Sequence, residues 1–492
     1  MSATAGEAAL LRAADEHKQR GNAAYRDGRF QEAVAAYSDG LRALEQATGV
    51  LPDSGGLPAP LADVAGTLYS NRAMAQMKLD DYDSAQNDIT LALYYKPRDD
   101  KAWMRLAAVQ AKKRHIFAAV AAMERAVEVE HAMQQDNYGQ SEASRRLRNL
   151  QRKAAEQGTL PPIVALCGSH IANSARLARL RQMVGSWYIQ WHAVPLRISL
   201  SCTSGMQDEV QGAVSDLLQL YCGLSILLNC EELSQGQHYQ LLVRRLQQQG
   251  CDGKATWLLL TDDDDLWHPQ RSMLYAAKLQ ELSSSHPGPA PEDQVLSICS
   301  LNYFNADKAH AAWSPFDVSR LHASGAALTV KPFPGEAWGF STRLCTLAQF
   351  FAACNPCVVS HLYWDVCFVK FLRNKNSNVV YVSEDYLNWM YFYRRDEAVG
   401  PASRLLASTM LSDSILASLT AFVGSNLQYF CAQSVDFDVD AFATLIDECT
   451  VDPKLKPCSA ALCRKMADEL LSDTEGIHYK LLKSPLPSVD HA

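Results

Sequence analysis

A repeat constrains the front of this chain more than any other feature. Ala73, Ala85 and Ala92 recur 34 residues later as Ala107, Ala119 and Ala126, and the same frame moved 52 residues earlier falls on Gly21, Ala33 and Gly40. The extra length between the first two copies holds the stretch from Leu51 to Pro60, LPDSGGLPAP, a loop by composition. Small residues at fixed repeat positions let paired helices approach closely. Tyr25, Phe30, Tyr37, Tyr82, Tyr94 and Trp103 are placed to fill the gaps between them, and Pro97 closes the second copy. One helix pair cannot bury its own apolar face, whereas three stacked pairs make a continuous core.

The period and the small/aromatic alternation resemble the tetratricopeptide repeat, which implies an α-solenoid of three helix pairs over residues 8–130. In that architecture the first helices line a concave groove. Lys18 and Asn22 are spaced i,i+4 on one helix face, Asn71 takes the matching place in the second repeat, and Lys101 and Arg105 are again i,i+4 in the third. Cations and amides converging on one groove supply the donors that a terminal carboxylate and an Asp side chain need. The contexts KQRGN, LYSNRA and KAWMR resemble the dicarboxylate clamp of co-chaperones. The resemblance implies binding to the acidic, EEVD-like C-terminal tails of cytosolic heat-shock chaperones. The competing reading is that the five are solvated helix residues.

Charge sharpens this. Residues 1–155 hold 21 Lys and Arg against 20 Asp and Glu, and the rest of the chain 25 against 34. The front is near neutral, so a basic site there must be placed locally. The net charge of -8 argues against general nucleic-acid binding. Residues 131–160, with SRRLRNLQRKAAEQG, read as a solvated capping helix and linker.

Past Pro161 and Pro162 the pattern changes. Apolar runs at 163–167, 196–201, 224–229 and 256–261 alternate with helical stretches at 176–190, 207–221 and 238–249. Strands alternating with helices predict a mostly parallel α/β sheet, whose ligands bind beyond the carboxyl ends of the strands. Further strands are expected at 294–301 and 380–382, and an amphipathic helix after Phe340. Residues 401–475 read as a helical extension and 476–492 as a disordered tail.

The fourth strand runs into Asp262, Asp263, Asp264 and Asp265, then Trp267 and Pro269. Four acids there need a metal, water or a cation, because burying them unpaired costs several kcal/mol each. Converging carboxylates suit Mn²⁺ or Mg²⁺ shared with a diphosphate. The arrangement resembles the D-x-D motif of GT-A glycosyltransferases, especially the family 2-like branch, over residues 161–400. That resemblance implies a nucleotide-sugar donor and a D-x-D pair in which Asp264 is the direct metal ligand and Asp262 faces the ribose or the metal, with Asp263, Asp265 and Trp267 shaping the site. Ser169, His170 and Arg176 occupy the first strand-to-helix loop, where the family contacts the nucleotide base. CGSHIANSAR stands there in place of the usual PTYN. His170 reads equally as a capped loop residue. Asp365 in HLYWD is the candidate general base and Glu336 the second, while Asp365 also reads as an acid favoured at a helix N-terminus. The aromatics and arginines of Tyr391–Arg395 either close over a diphosphate or pack a domain edge.

The two halves together imply a tetratricopeptide protein carrying a metal-dependent glycosyltransferase. The alternatives are a non-catalytic adaptor with a degenerate transferase domain, and a metal-dependent phosphotransferase or nucleotidyltransferase, for which no Walker-type loop is present. No apolar run reaches membrane-spanning length and residues 1–20 lack the apolar block of a signal peptide, so a cytoplasmic location is expected. The 14 cysteines show no paired framework, and Cys354 with Cys357 forms an isolated C-x-x-C.

Overall fold

The computed structural model describes residues 5–48, 57, 59–133, 141–158, 160–264, 266–285 and 340–354, short strands at 295–297, 300–305, 329–332, 379–381 and 391–395, and the single positions Val359, Trp364 and Phe368. The extension expected at 401–475 and the tail at 476–492 lie outside the described residues.

Three antiparallel helix pairs build the front: α1 (Ala5–Arg26) with α2 (Phe30–Thr48), α3 (Ala59–Lys78) with α4 (Tyr82–Tyr95), and α5 (Asp100–Lys112) with α6 (Ile116–Met133). The turn inside each pair uses one left-handed residue, Gly28 at φ 77, Asp80 at φ 58 and Arg114 at φ 64. These positions keep the 52- and 34-residue offsets of the repeat. Glycine takes that conformation without strain, whereas an L side chain pays a steric penalty there. Asp81 and Asp99 then cap α4 and α5, accepting from the backbone N–H of Ser84 and Ala102. The small residues of the frame, Ala33, Ala73, Ala85, Ala92, Ala107, Ala119 and Ala126, are all fully buried. A seventh helix, α7 (Glu142–Ala155), packs on α6 and closes the solenoid with Ala143, Ser144 and Ala154.

The second half opens with β1 (Ile163–Ile171), α8 (Ser174–Tyr188), β2 (Leu196–Cys202), α9 (Gln207–Leu220), β3 (Leu224–Leu228), α10 (Gln235–Gln248) and β4 (Trp257–Thr261). After β5 (Leu266–Trp267) and α11 (Arg271–Ser285) come β6 (Val295–Ser297), β7 (Ser300–Asn305), β8 (Thr329–Pro332), β9 (Phe340–Arg343), α12 (Leu344–Ala353), β10 (Val379–Tyr381) and β11 (Tyr391–Arg395). A seven-stranded sheet has the order β10-β6-β9-β4-β1-β2-β3. Its strands are parallel except β9, which runs antiparallel to both β4 and β6. A second sheet has the order β5-β11-β7-β8. The single strand expected at 294–301 is therefore two: Val295–Ser297 pairs in the large sheet, and Ser300–Asn305 leaves it to pair with β8 and β11. Right-handed crossovers place α8 and α9 on one face, and the reversal after β3 sends α10 to the other. Gly168 permits that second packing, since a Cβ there would lie 2.8 Å from His238 Cβ.

One buried cluster runs through both halves. Trp103 of α5 meets Tyr188 of α8 edge-on at 5.2 Å, and Tyr188 donates to the Pro97 carbonyl at 2.8 Å. Arg125 of α6 lies 5.2 Å from the Tyr188 ring and 5.5 Å from Trp187. Trp191 donates to Thr90 Oγ1 at 3.0 Å and sits under Lys113. Trp103 thus fills the seam between the halves as well as a gap between repeat helices. Among the described residues no helix is long and apolar enough to cross a membrane. Trp103→Ala is expected to cost about 3–5 kcal/mol, lowering one urea transition seen alike by far-UV circular dichroism and tryptophan fluorescence. Two separate transitions would show that the halves unfold independently.

Candidate functional site

The first helices α1, α3 and α5 stand side by side and carry the five groove candidates. Asn22 and Asn71 meet directly, with Asn71 Nδ2 donating to Asn22 Oδ1 at 3.1 Å. Tyr37 donates to the same oxygen at 2.8 Å. Burial, helped by Tyr25, pushes the Tyr37 hydroxyl up to about 12, so it stays a donor at neutral pH. Arg105 donates to Ser70 Oγ, the residue before Asn71. Burial pulls the Arg105 guanidinium down while Asp99 pulls it back up; it remains charged at any working pH. Lys18 pairs with Asp15 at 2.5 Å on its own helix, and Lys101 is exposed. A cavity of ≈ 560 Å³ is lined by Asn22, Tyr25, Tyr37, Asn71 and Met74 among others. Behind it, Arg72 forks onto Asp88 with two bonds of 2.7 Å and donates to Ser38, locking α3 to α2 and α4. Burial pushes the Asp88 carboxyl up and the Arg72 fork opposes it.

The acids lie where β4 ends. Strand order reverses between β1 and β4, which makes their carboxyl ends a topological switch point, the usual ligand crevice of a parallel sheet. Asp263 is 0% exposed there. Ser169 of β1 donates to its Oδ2, and Arg176 reaches both of its oxygens, with Nε at 3.0 Å from Oδ2. Arg176 Nη1 stands 3.5 Å from Asp264 Oδ2. Asn173 caps α8 by accepting from the Arg176 backbone N–H, which sets Arg176 on the first turn facing the acids. Burial alone would pull the Arg176 guanidinium down, but Asp263 and Asp264 outweigh it and raise it. Asp262 and Asp264 are half-buried, and Asp262 Oδ1 accepts from Gln235. Trp267 is fully buried, with Nε1 on Thr261 Oγ1 at 2.7 Å and Arg271 4.1 Å from its ring. Asp265, Glu336 and Asp365 lie outside the described residues.

His170 pairs with Ser201 Oγ at 2.9 Å. Ser201 also meets His238 Nε2 at 2.9 Å, and Ser199 meets His238 Nδ1 at 2.8 Å. His170 is thereby tied to a buried polar chain beneath the sheet. Tyr37, Ser70, Gln235 and His238 were not among the sequence candidates. Only Gln235 had a signal: Ser234 and Gln237 form a capping box that starts α10 at Gln235, three residues before the expected start at His238.

Among the described residues no group of three or more His, Cys, Asp or Glu side chains converges to hold a metal ion. Mg²⁺ commonly takes only one or two carboxylates and completes its shell with water and substrate phosphate. The half-buried pair Asp262 and Asp264 fits that mode in ligand type.

No family model matches the chain. Human tetratricopeptide repeat protein 12 is 32% identical over 93 residues, 19% of this chain and 11% of that protein. The front of this chain is a tetratricopeptide-repeat domain. Its match spans only about a tenth of that relative's length. Among solved structures, the first tetratricopeptide domain of Spaghetti bound to the Hsp90 peptide SRMEEVD is 25% identical, covering 29% of this chain and 94% of that one with a TM-score of 0.23. The mannosyltransferase PcManGT from Pyrobaculum calidifontis, in complex with GDP-Man and Mn²⁺, is 12% identical, covering 74% of this chain and 90% of that one with a TM-score of 0.33.

Burial pushes His192, His238 and His268 each down to about 4, with His170 adding to the effect at His238. The unfolded chain binds these protons near pH 6.5. Stability is therefore full above pH ~6.5 and falls toward pH ~4, by up to roughly 1.4 kcal/mol per pH unit for each histidine. Urea midpoints measured from pH 7.5 to 4.5 should fall in that window, and His238→Gln should flatten the slope. An equal slope in that variant would rule His238 out as a contributor.

Proposed function

We propose that this chain docks the acidic C-terminal tail of a partner in its repeat groove and transfers a sugar from a nucleotide-diphosphate donor at the carboxyl end of its parallel sheet. The observation that carries the transferase reading is the placement of Asp262 and Asp264. They flank a carboxylate already neutralised by Arg176, beside the switch point where ligands of such sheets bind. Asp262 and Asp264 would hold Mn²⁺ or Mg²⁺, which when bound would offset charge on the leaving diphosphate. Ser169 and Arg176 act by holding Asp263 in place. His170 borders the same crevice, and Asp263, Asp265 and Trp267 shape it. Asp365, with Glu336 as the second candidate, accepts the proton of the acceptor hydroxyl.

The groove reading rests on donors gathered from three helices. Asn22 and Asn71 are held together, Arg105 is fixed beside Asn71 through Ser70, and Lys18 and Lys101 add charge on the flanking turns. That set suits the two carboxylates of a chain-terminal Asp, as in the EEVD-like tails of heat-shock chaperones, and a cytoplasmic location goes with that reading.

Lys101→Ala or Arg105→Ala should each weaken an EEVD-ending peptide about 10- to 100-fold by calorimetry, as expected for the loss of a charged hydrogen bond. Unchanged affinity in both would sink the clamp.

A panel of nucleotide sugars with Mn²⁺ should include at least one that the protein hydrolyses slowly, and Asp264→Ala should abolish that turnover. If none turns over and none raises Tm, the α/β half is a non-catalytic module and the protein an adaptor.

A further inference from the structure

Gln235 opens α10 and reaches across the carboxyl end of the sheet. Its Nε2 donates to Asp262 Oδ1, and its Oε1 accepts from Trp364 Nε1 at 3.1 Å. An indole N–H only donates and an ionised carboxylate only accepts. A side chain joining them must present one acceptor and one donor together, which a primary amide does. Asparagine is a methylene short. Glutamate would set a second carboxylate against Asp262, and methionine would fill the volume while bonding to neither. The two partners therefore dictate which way the Gln235 amide faces.

Both ends of this bridge are anchored. The capping box of Ser234 and Gln237 fixes the first turn of α10, and Ser234 Oγ also donates to the Val359 carbonyl at 3.1 Å. Trp364 is fully buried, stacked on Phe351 at 5.7 Å and close to Tyr239 at 5.0 Å. Asp262, by contrast, lies past the end of β4 in irregular backbone. Rigidity runs from the packed indole through the amide to the carboxylate.

We infer that Gln235 is a positioning residue that fixes the Asp262 carboxylate for a divalent cation by yoking it to the buried indole of Trp364. The assignment rests on the reading of Asp262 and Asp264 as a metal pair. It predicts that the amide, and not merely its bulk, sets the affinity of the site. Removing an outer partner of a metal carboxylate typically costs 10- to 100-fold in metal affinity.

The test is Mn²⁺ titration of the full chain, with UDP or GDP present, read by electron paramagnetic resonance of the free ion, with circular dichroism to confirm folding. Gln235→Met should raise the Kd for Mn²⁺ about tenfold. Trp364→Phe keeps the stacked ring and loses only the N–H, so it should raise Kd in the same direction and add nothing when Gln235→Met is already present. A Gln235→Met protein that binds Mn²⁺ as tightly as the wild type overturns the assignment. So does a Trp364→Phe effect that is equally large without Gln235. Should Gln235→Met fail to fold, Trp364→Phe decides alone, and an unchanged Kd counts against the bridge. A wild-type protein that binds no Mn²⁺ with either nucleotide removes the metal reading itself, and the assignment falls with it.

Discussion

The guanidinium of Arg125 is the point on which the two halves of this protein meet. It is 5% exposed, and its Nη1 has no hydrogen-bond partner among the described residues. Desolvating a cation costs several kcal/mol. What offsets it is a set of three aromatic faces, Trp103 from the repeats and Trp187 and Tyr188 from α8, together with Glu128 at 3.3 Å. A desolvated cation–π contact is worth about 2 kcal/mol, so three rings and an ion pair are of the size required. Neither half alone supplies all of them. α8 then carries the consequence to the site. Its last turn holds Trp187 and Tyr188 against the repeats, and its first turn holds Arg176 against Asp263. Twelve residues of helix separate them, about 18 Å at the usual rise. On the other side of the seam, Trp103 lies between Lys101 and Arg105 on α5. The groove and the acid cluster thus sit on elements that pack through one shared seam.

The same ledger of charge and burial sorts the four acids. A fully buried carboxylate without a partner is untenable, and the Arg176 fork with the Ser169 hydroxyl makes Asp263 tenable. Its neighbours are held differently. Asp264 touches the guanidinium only at 3.5 Å, and Asp262 is held by a neutral amide. Both stay half-buried where Asp263 is sealed, and the field of Arg176 reaches Asp262 as well as Asp263 and Asp264.

Much of this was legible in the sequence. The repeat showed itself because helix pairing demands small residues at a fixed period, and every one of those alanines is buried. The alternation of strands and helices up to Thr261 matched because β1 and β4 open as continuous apolar runs inside a parallel sheet, while β2 and β3 keep enough apolar residues around Arg197, Ser199 and Ser225 to read as strands. Beyond it the reading weakened for a physical reason. Residues 294–305 serve two sheets, and apolar content alone does not say where a chain leaves one sheet for another. The site was half visible. A row of acids after a strand stands out, whereas the partners that decide their roles, Arg176 and Gln235, are separated from them by 87 and 27 positions along the chain. Trp103 was visible as a large residue in a repeat but not as a seam residue, because its second partner Tyr188 belongs to a pattern of another kind.

In the groove, the strength of each contact separates scaffold from ligand site. Asn22 Oδ1 takes both Tyr37 and Asn71, which fixes the amide and leaves its nitrogen end directed elsewhere. Those bonds are part-buried and tie α1 to α2 and α3, so they persist whether or not anything is bound. Lys18 is held differently, by a half-exposed pair with Asp15 one turn away. Lys18 and its hydrogen bonds, with Gln19 adding to them, lower the Asp15 carboxyl, yet a half-exposed ion pair of this kind contributes little and is screened by salt. On the tail-docking proposal, an incoming carboxylate would take Lys18 from Asp15 at small cost, while it would meet Asn22 and Asn71 already in place. The amides would then supply the geometry of recognition and the lysines exchangeable charge, the division of labour a groove needs if it is to hold a flexible tail and release it.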